Sequence, residues 1–600
     1  MLADPDLLRY YFAELTALRE EGRSFALHHP EIAAALDLTG QEDQDPQVAR
    51  LVESFAFLTA RIRREFDAGF PLIPAALLEQ LYPQLAAPLP AMGVAQFDVA
   101  PAKYALLQNV TVARDTMLFA RLDAGVECRF RTSNALTLWP LRPREPALVP
   151  ASDLDVEGAG AGVLSALRVT LRCEGELNFA KVKAGKLRFF LDGDTATRFA
   201  LYDLLGAHCT GVAAARADGR PVRMPALHPC PSGFAPDEAI LPLPPTGQHG
   251  YRLLQEYFAF PTKFLFFELD GFDPAVFGDA NAVTLYFLFD ERPGRQLMIG
   301  PETLRLNCVP MVNLYPRTSE PIRVDHLRSE YPLQPDSRNP AASEVHSVSA
   351  VTRTAAVAGT AAVPPYFRVG ALPAANDLRW LARRKPAAPG LEGTDLVLAF
   401  VDAQLQPQRP ADSVLFAQLL CTNRRLTREL TLATPLEIEA DLPIRRITLT
   451  GSLTAPQDPP MAGGRLWQLV SQLSLNKLSL DRGEASLDAL KQLLELYAGG
   501  QEQTIGRRQI NGISGIATRP ATARLEQRSW RPMVRGIEID LALDPVAFAG
   551  GSAILFGEVL DRFFALHASI NSFTRLAIRR DQQQERWRQW PSRSGAKPLL

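Results

Sequence analysis

Catalytic and metal sites are visible in a sequence when histidines, cysteines, carboxylates or glycine-rich backbone fall at spacings that let them converge. Few stretches of this 600-residue chain qualify. His28-His29-Pro30 pairs two imidazoles, but the proline marks a solvated turn before a helix rather than a ligand pair. His208 and Cys209 are adjacent, so on a strand they would point apart, and His326 stands alone after Asp325. The cysteines are Cys128, Cys173, Cys209, Cys230, Cys308 and Cys421, with no C-x-x-C and no zinc-ligand spacing. Gly506–Gly515 (GRRQINGISG) lacks the G-K-[ST] ending of a phosphate loop. Gly550-Gly551-Ser552 could offer N–H groups to a phosphate, although an ordinary serine N-cap explains it equally well. No G-x-S-x-G elbow is present. Paired carboxylates far apart in the chain are the one catalytic arrangement that spacing does not address. The expectation is no catalytic residue, no cofactor and no metal ligand.

The aromatic run Tyr251–Phe267 could stack sugars or bases. Its apolar residues cluster rather than alternate with basic ones, which favours a helix that turns into a buried strand at Pro261. The basic tail after Arg579, with Trp587 and Trp590, could touch an anionic surface but reads better as a frayed, solvated end.

The elements that must position any site divide sharply. Up to about residue 90 the apolar period is helical. Asp4-Pro5 and Asp45-Pro46 each supply a cap followed by proline at the first helical position. The first helix carries Leu8, Tyr11, Phe12, Leu15 and Leu18, and Gly22 weakens it near its end. The clearest stripe is Val48, Leu51, Val52, Phe55, Leu58, Ile62 and Phe66. A short helix carries Leu77, Leu78 and Leu81 before Tyr82-Pro83. Each large apolar side chain gains about 1.5–3 kcal/mol on full burial, so these stripes must face either their own domain or another chain.

Beyond residue 92 the period falls to two, in short strands such as 128–132, 163–171, 283–289, 396–401, 414–421 and 535–544. Helices are expected around Leu466–Leu473, Leu487–Tyr497 and Leu555–Ile570. The fold class is therefore α+β and multi-domain. Its expected parts are a helical head (1–90), β-rich domains with proline-rich loops (91–340), a linker or extended loop (341–365), an α+β C-terminal domain (366–580) and a flexible basic tail (581–600). Residues 141–162 read as a further linker or long loop.

The formal net charge of −2 hides a split, because residues 1–90 hold seven Lys/Arg against fourteen Asp/Glu. An acidic head and no concentrated basic face argue against nucleic acid. Scattered thiols, no signal-like N-terminus and no long apolar span point to the cytoplasm without direct membrane insertion.

Particular strings go further than pattern. Tyr10-Tyr-Phe-Ala-Glu-Leu-Thr-Ala-Leu-Arg19, Asp45-Pro-Gln-Val48, Leu51-Val-Glu-Ser-Phe-Ala-Phe-Leu58 and Leu77-Leu-Glu-Gln-Leu-Tyr-Pro83 resemble the TssF family of type VI secretion baseplate subunits. The resemblance continues at Cys128–Thr132, Leu138–Leu141, Glu256–Phe267, Asn307–Leu314, Glu320–Arg323 and Glu330–Pro332. It reaches Leu420–Arg424, Leu473–Asn476 and Ser569–Thr574, in the same order along the chain. It implies a structural wedge subunit, similar to contractile-phage wedge proteins, with no cofactor and no reaction. The implied partners are a TssG-like subunit (two copies of this chain to one), a second TssF copy, TssK, TssE and the VgrG hub, at the inner-membrane face. The expected interface residues are Leu8, Phe12, Leu15, Val52, Phe55, Ile62 and Phe66. The rivals are a carbohydrate-active enzyme built on the aromatic run and distant carboxylates, and a nucleic-acid binder using the tail.

Overall fold

A computed structural model describes residues 5–35, 46–69, 72–100, 110–122, 125–157, 162–182, 185–216, 219–244, 247–294, 296–324, 328–355, 359–367, 378–402, 413–461, 466–467, 469–470, 484–499, 503–524, 533–568, 571–581 and 586–595. The chain divides into two compact units: Met1–Gln80 with Pro460–Ser474, and Leu81–Pro459 with Leu475–Leu600.

The first unit is helical. Its helices are α1 (Pro5–His28), α2 (Pro30–Ala35), α3 (Pro46–Gly69) and α4 (Leu72–Leu81). α1 runs straight through Gly22, where the sequence suggested weakening. One glycine costs about 1 kcal/mol, and a 24-residue helix absorbs it. The break falls at His29, within the turn expected at His28-His29-Pro30, where Pro30 restricts the preceding residue. α1 packs on α3 and on α2. Leu466, Leu469 and Val470, far along the chain, are also buried and belong to this unit.

The second unit is built of mostly antiparallel sheets that mix distant parts of the chain. One six-stranded sheet has the order 437–438, 117–121, 127–132, 308–312, 92–99, 444–449. Met92 pairs Val312 while Ala95 pairs Leu449. The expected boundary at 341–365 therefore does not exist: strands on either side of it complete one sheet. Residues 341–365 are not a linker. They contain the hairpin Glu344–Ala355 and Gly359–Val363, laid against Ser413–Thr422. Register shifts at Val345/Ser347 and Val348/Ala350 break the alternation that would have shown the strand in the sequence.

Residues 141–162 are likewise half strand. Leu141–Pro150 forms the edge of a five-stranded sheet, followed by 165–173, 282–289, 209–216 and 222–223. Its three prolines suited a loop, but an edge strand tolerates prolines because one side of its backbone needs no partner. A four-stranded sheet (228–232, 266–270, 187–191, 304–305) and a three-stranded sheet (331–332, 394–401, 379–386) complete this part.

The second unit also holds α5 (Pro83–Ala86), α6 (Thr195–Ala207), α7 (His249–Ala259), α8 (Glu484–Tyr497), α9 (Gln503–Asn511) and α10 (Ala553–Phe564). α10 links the parallel strands Met533–Leu543 and Phe573–Arg580. It contacts α6 and α7 and buries Ile554, Leu555, Phe556, Val559, Leu560, Phe563 and Phe564 completely. The tail is docked rather than frayed: Arg586–Gln589 and Arg593–Ser594 pair with Phe573–Arg580. Trp590 is buried against Gly557, a site where any Cβ would collide with the indole. The tail's arginines meet acids in this fold, Arg586 with Glu538 (3.0 Å) and Arg593 with the buried Asp561 (2.8 Å).

Candidate functional site

The residues singled out for chemistry serve packing and capping. Ser552 is the N-cap of α10: its Oγ accepts the Leu555 N–H (2.8 Å) and donates to Asp203. Burial raises the Asp203 carboxyl to about 7. The glycine-rich stretch 506–515 spans the end of α9 and a strand start, with Gly506 and Gly512 pressed against Phe258 and Ala547. His208 caps α6, with Nδ1 on Asp290 (3.0 Å) and the Trp587 N–H on Nε2 (3.2 Å). His326 lies outside the described residues. The aromatic run is α7, a 3₁₀ turn at Pro261–Phe264 and the strand Phe266–Asp270. Tyr251, Tyr257, Phe258, Phe260, Phe264, Phe266 and Phe267 are all buried, so they present no stacking platform.

Several strings that carry the family resemblance turn out to be polar cross-links. The Asn307 side chain accepts the Trp139 N–H (2.7 Å) and donates to the Trp139 carbonyl (2.8 Å). Asn313 donates to the carbonyl of Arg129 (2.7 Å) and to Asn423 Oδ1 (2.8 Å), and its own Oδ1 accepts the Asn423 N–H (2.7 Å). Arg424 donates to the carbonyls of Ser343 and Glu392 (both 2.9 Å) and to Asp395 (2.6 Å). At the heart of α7, Glu256 is fully buried, paired with Lys263, and accepts the N–H groups of Ile240 and Leu241. These groups tie strands together. Sequence periodicity misses them because polar residues in loops normally signal solvent.

The surface that lacks an internal explanation is on the head. α3 has two apolar faces. At about 100° per residue, Ala56 and Ala60 point one way, and Leu51, Phe55, Leu58 and Ile62 point to the opposite side within an arc of about 60°. The alanine face is fully buried, and Arg63, at its margin, pairs with Glu14 of α1 (2.5 Å). The large-residue face is open: Leu51 is 71%, Phe55 55%, Leu58 54% and Ile62 65% exposed. Of the 20 exposed large hydrophobics among the described residues, 11 lie in the first 80, so the open surface is concentrated on the head.

Of the seven expected interface residues, Leu8, Phe12, Phe55 and Ile62 are exposed, and Val52 is half-buried. Leu15 must be withdrawn from the surface set, because it is buried in the head. Phe66 lies in α3, but its side chain is outside the described residues. Leu51 and Leu58 were missing from the expected set. Their 4-3-4 spacing with Phe55 and Ile62 is the signal that could have found them, because it is the a/d repeat of a helix–helix seam. Burying the exposed parts of these four side chains would contribute roughly 4–7 kcal/mol, against an association cost of about 4–15 kcal/mol. The seam alone is thus marginal, and the head also exposes Leu8 and Phe12 on α1.

Comparison with known proteins gives this surface a setting. The family described as Type VI secretion system, TssF, matches residues 3–597. The type VI secretion system component TssF1 of Pseudomonas aeruginosa is 33% identical over 623 aligned residues, covering 100% of both chains. The chain belongs to the TssF family, a structural component of the type VI secretion baseplate and not an enzyme. Two solved structures share the fold. One is a chain from the TssK-TssF-TssG baseplate subcomplex, with a TM-score of 0.74 and 24% identity, covering 92% of this chain and 99% of that one. The other is a chain from the type VI baseplate complex, with a TM-score of 0.61 and 24% identity, covering 99% and 100%. Among the described residues no helix is long and apolar enough to cross a membrane.

Proposed function

We propose that the chain is a wedge subunit of a type VI secretion baseplate and that its helical head is the assembly element. The observation that carries this is the open seam of Leu51, Phe55, Leu58 and Ile62 on α3, opposite the alanine face that already packs on α1. An open a/d face calls for a partner helix crossing at about 20°. That partner is a TssG-like subunit together with a second copy of this chain, in a two-to-one wedge. TssK, TssE and the VgrG hub then join the wedge through other surfaces and hold it at the inner-membrane face. The relative solved with TssK and TssG supports those two partners.

The test is co-expression with and without a TssG-like partner. Alone, the chain should aggregate; with the partner, it should co-purify as a defined complex. A chain that stays monomeric and soluble and ignores the partner overturns the reading.

A further inference from the structure

We propose that the outer face of the five-stranded sheet is a docking groove for an extended acidic segment of a partner protein. The groove has a volume of about 970 Å³ and is lined by Arg144, Thr170, Arg172, Arg216, Gly219 and residues 280–282, with Glu145 as the single acidic lining residue among the described residues. It lies on the second unit and is independent of the head seam.

The register shows how the charges are arrayed. On the strand Ser165–Cys173, Arg168, Thr170 and Arg172 share the outer face, because their neighbours Val169 and Leu171 are fully buried. Arg144, on the edge strand, sits directly across from Thr170. Three successive rows of the sheet, at 168, 170 and 172, therefore each carry an arginine. With a rise of about 3.3 Å per residue, those rows repeat about every 7 Å. An extended chain with carboxylates at alternate positions has the same repeat.

Arg144, Arg168 and Arg172 have no hydrogen-bond or ion-pair partner among the described residues. The neighbouring Arg142, in contrast, is held by Asp98 (3.0 Å) and Glu174 (2.6 Å). The edge strand shifts register between Arg144 and Ala147, and Glu145 takes φ 48°. Such a bulge bends the edge strand and increases its local twist. Guanidinium forks recognise carboxylates bidentately, and Asn281, with the Thr170 hydroxyl that also bonds Thr284 (3.0 Å), can hydrogen-bond a peptide backbone. Among the described residues none of the groove's lining is aromatic, and Tyr286, across from Arg168, packs against Ala166, Ala213 and Leu288 rather than into the groove; Glu145 repels a continuous run of phosphates.

The experiment is fluorescence anisotropy with the full-length chain at low salt. Its probes are a labelled peptide with three aspartates alternating with threonine, an isomer with the aspartates contiguous, and a single-stranded oligonucleotide of equal charge. The alternating peptide should bind at least about fivefold tighter than its isomer. Arg144→Gln/Arg172→Gln should weaken it about tenfold, and Arg168→Gln alone about threefold. An unchanged thermal melt in the variants shows that the sheet is intact, and Arg168→Gln provides the same reading should the double variant not fold. Equal binding of the two peptides, or glutamine variants that bind as the parent does, overturns the proposal. So does an oligonucleotide that binds tighter and loses affinity in the same variants.

Discussion

The two units of this chain hide opposite kinds of residue. In the head, α3 buries Ala56 and Ala60 and leaves Leu51, Phe55, Leu58 and Ile62 in solvent. In the sheeted unit, Tyr202, Phe264, Phe289, Phe556, Phe563 and Phe564 are interior, and buried asparagines and arginines cross-link the strands around them. The sheeted unit spends its large apolar groups on its own stability. The head buries Leu15, Leu466, Leu469 and Val470, but its longest exposed stripe, on α3, keeps its large groups outside and turns small ones inward. On the proposed function, the sheeted unit holds its shape alone and the head's burial is completed by assembly.

The largest way to break that contrast is to charge the seam. Phe55→Asp or Ile62→Asp should abolish co-purification with the TssG-like partner, because an aspartate buried against apolar side chains costs several kcal/mol without a partner. The thermal transition of the sheeted unit should be unchanged. A variant that still assembles at normal stoichiometry would show that the seam is no interface.

The next effect belongs to the other unit. Lys263→Met leaves Glu256 buried, with Arg252 at 3.7 Å as its remaining cation. Removing one member of a buried pair typically destabilises by about 3–5 kcal/mol. Chemical denaturation should show that loss in the sheeted unit, and Glu256→Gln in the same background should recover part of it. If assembly fails while this unit's stability is unchanged, the division of labour between the units is wrong.

The head is more sensitive to volume than to charge on its inner face. Ala60→Leu forces a large side chain into the contact between α1 and α3, where Ala60 is fully buried. Overpacking of this kind costs about 1–3 kcal/mol. The expected result is a lower melting point for the head and weaker recovery of complex, with the sheeted unit unaffected.

pH sharpens the comparison further. Burial depresses the His346 imidazole to about 3, and burial with the nearby Arg252 depresses His249 to about 4. Both folded values lie below the unfolded value of about 6.5, so the unfolded chain binds more protons in between. Stability from these groups is complete above about pH 6.5 and falls as pH drops, by about 1.4 kcal/mol per pH unit for each histidine. Asp203 acts in the opposite direction. Its folded value of about 7 lies above that of an unfolded aspartate, so its penalty grows as pH rises from about 4 to 7. His346→Gln should flatten the acid slope and Asp203→Asn should steepen it. Both changes belong to the sheeted unit, because the head's described histidines, His28 and His29, are exposed.

The legibility of the sequence follows the same division. The head's helices were visible because proline caps and a 3.6-residue period are local signals, and the α3 stripe was read almost in full. What was missed there depends on the third dimension: Leu15 turns inward, and Leu51 and Leu58 turn outward, only once α1 lies on the Ala56–Ala60 face. In the sheeted unit individual strands were legible, but their partners were not. Leu141–Pro150 was hidden by prolines that only an edge strand tolerates, and Glu344–Val363 by register shifts. Asn313 and Asn423, 110 residues apart, have no local pattern that would pair them. The tail was misjudged because its arginines find Glu538, Asp540 and Asp561 only after the last sheet has formed.

The smallest expected effect tests whether charge helps to close the head at all. Arg63 and Glu14 link the C-terminal half of α3 to the N-terminal half of α1, but Arg63 is 62% exposed. Water and salt screen such a pair, and exposed ion pairs typically contribute about 0.2–1 kcal/mol. Glu14→Gln should therefore lower the head's stability by less than about 1 kcal/mol, and raised salt should erase the difference. A Glu14→Arg/Arg63→Glu swap should restore it at low salt. A much larger loss for Glu14→Gln, persisting in high salt, would mean that the head is clamped by charge rather than by its alanine face. The open seam would then be one of two comparable forces on α3, and the contrast between a self-sufficient sheeted unit and a head waiting for partners would narrow.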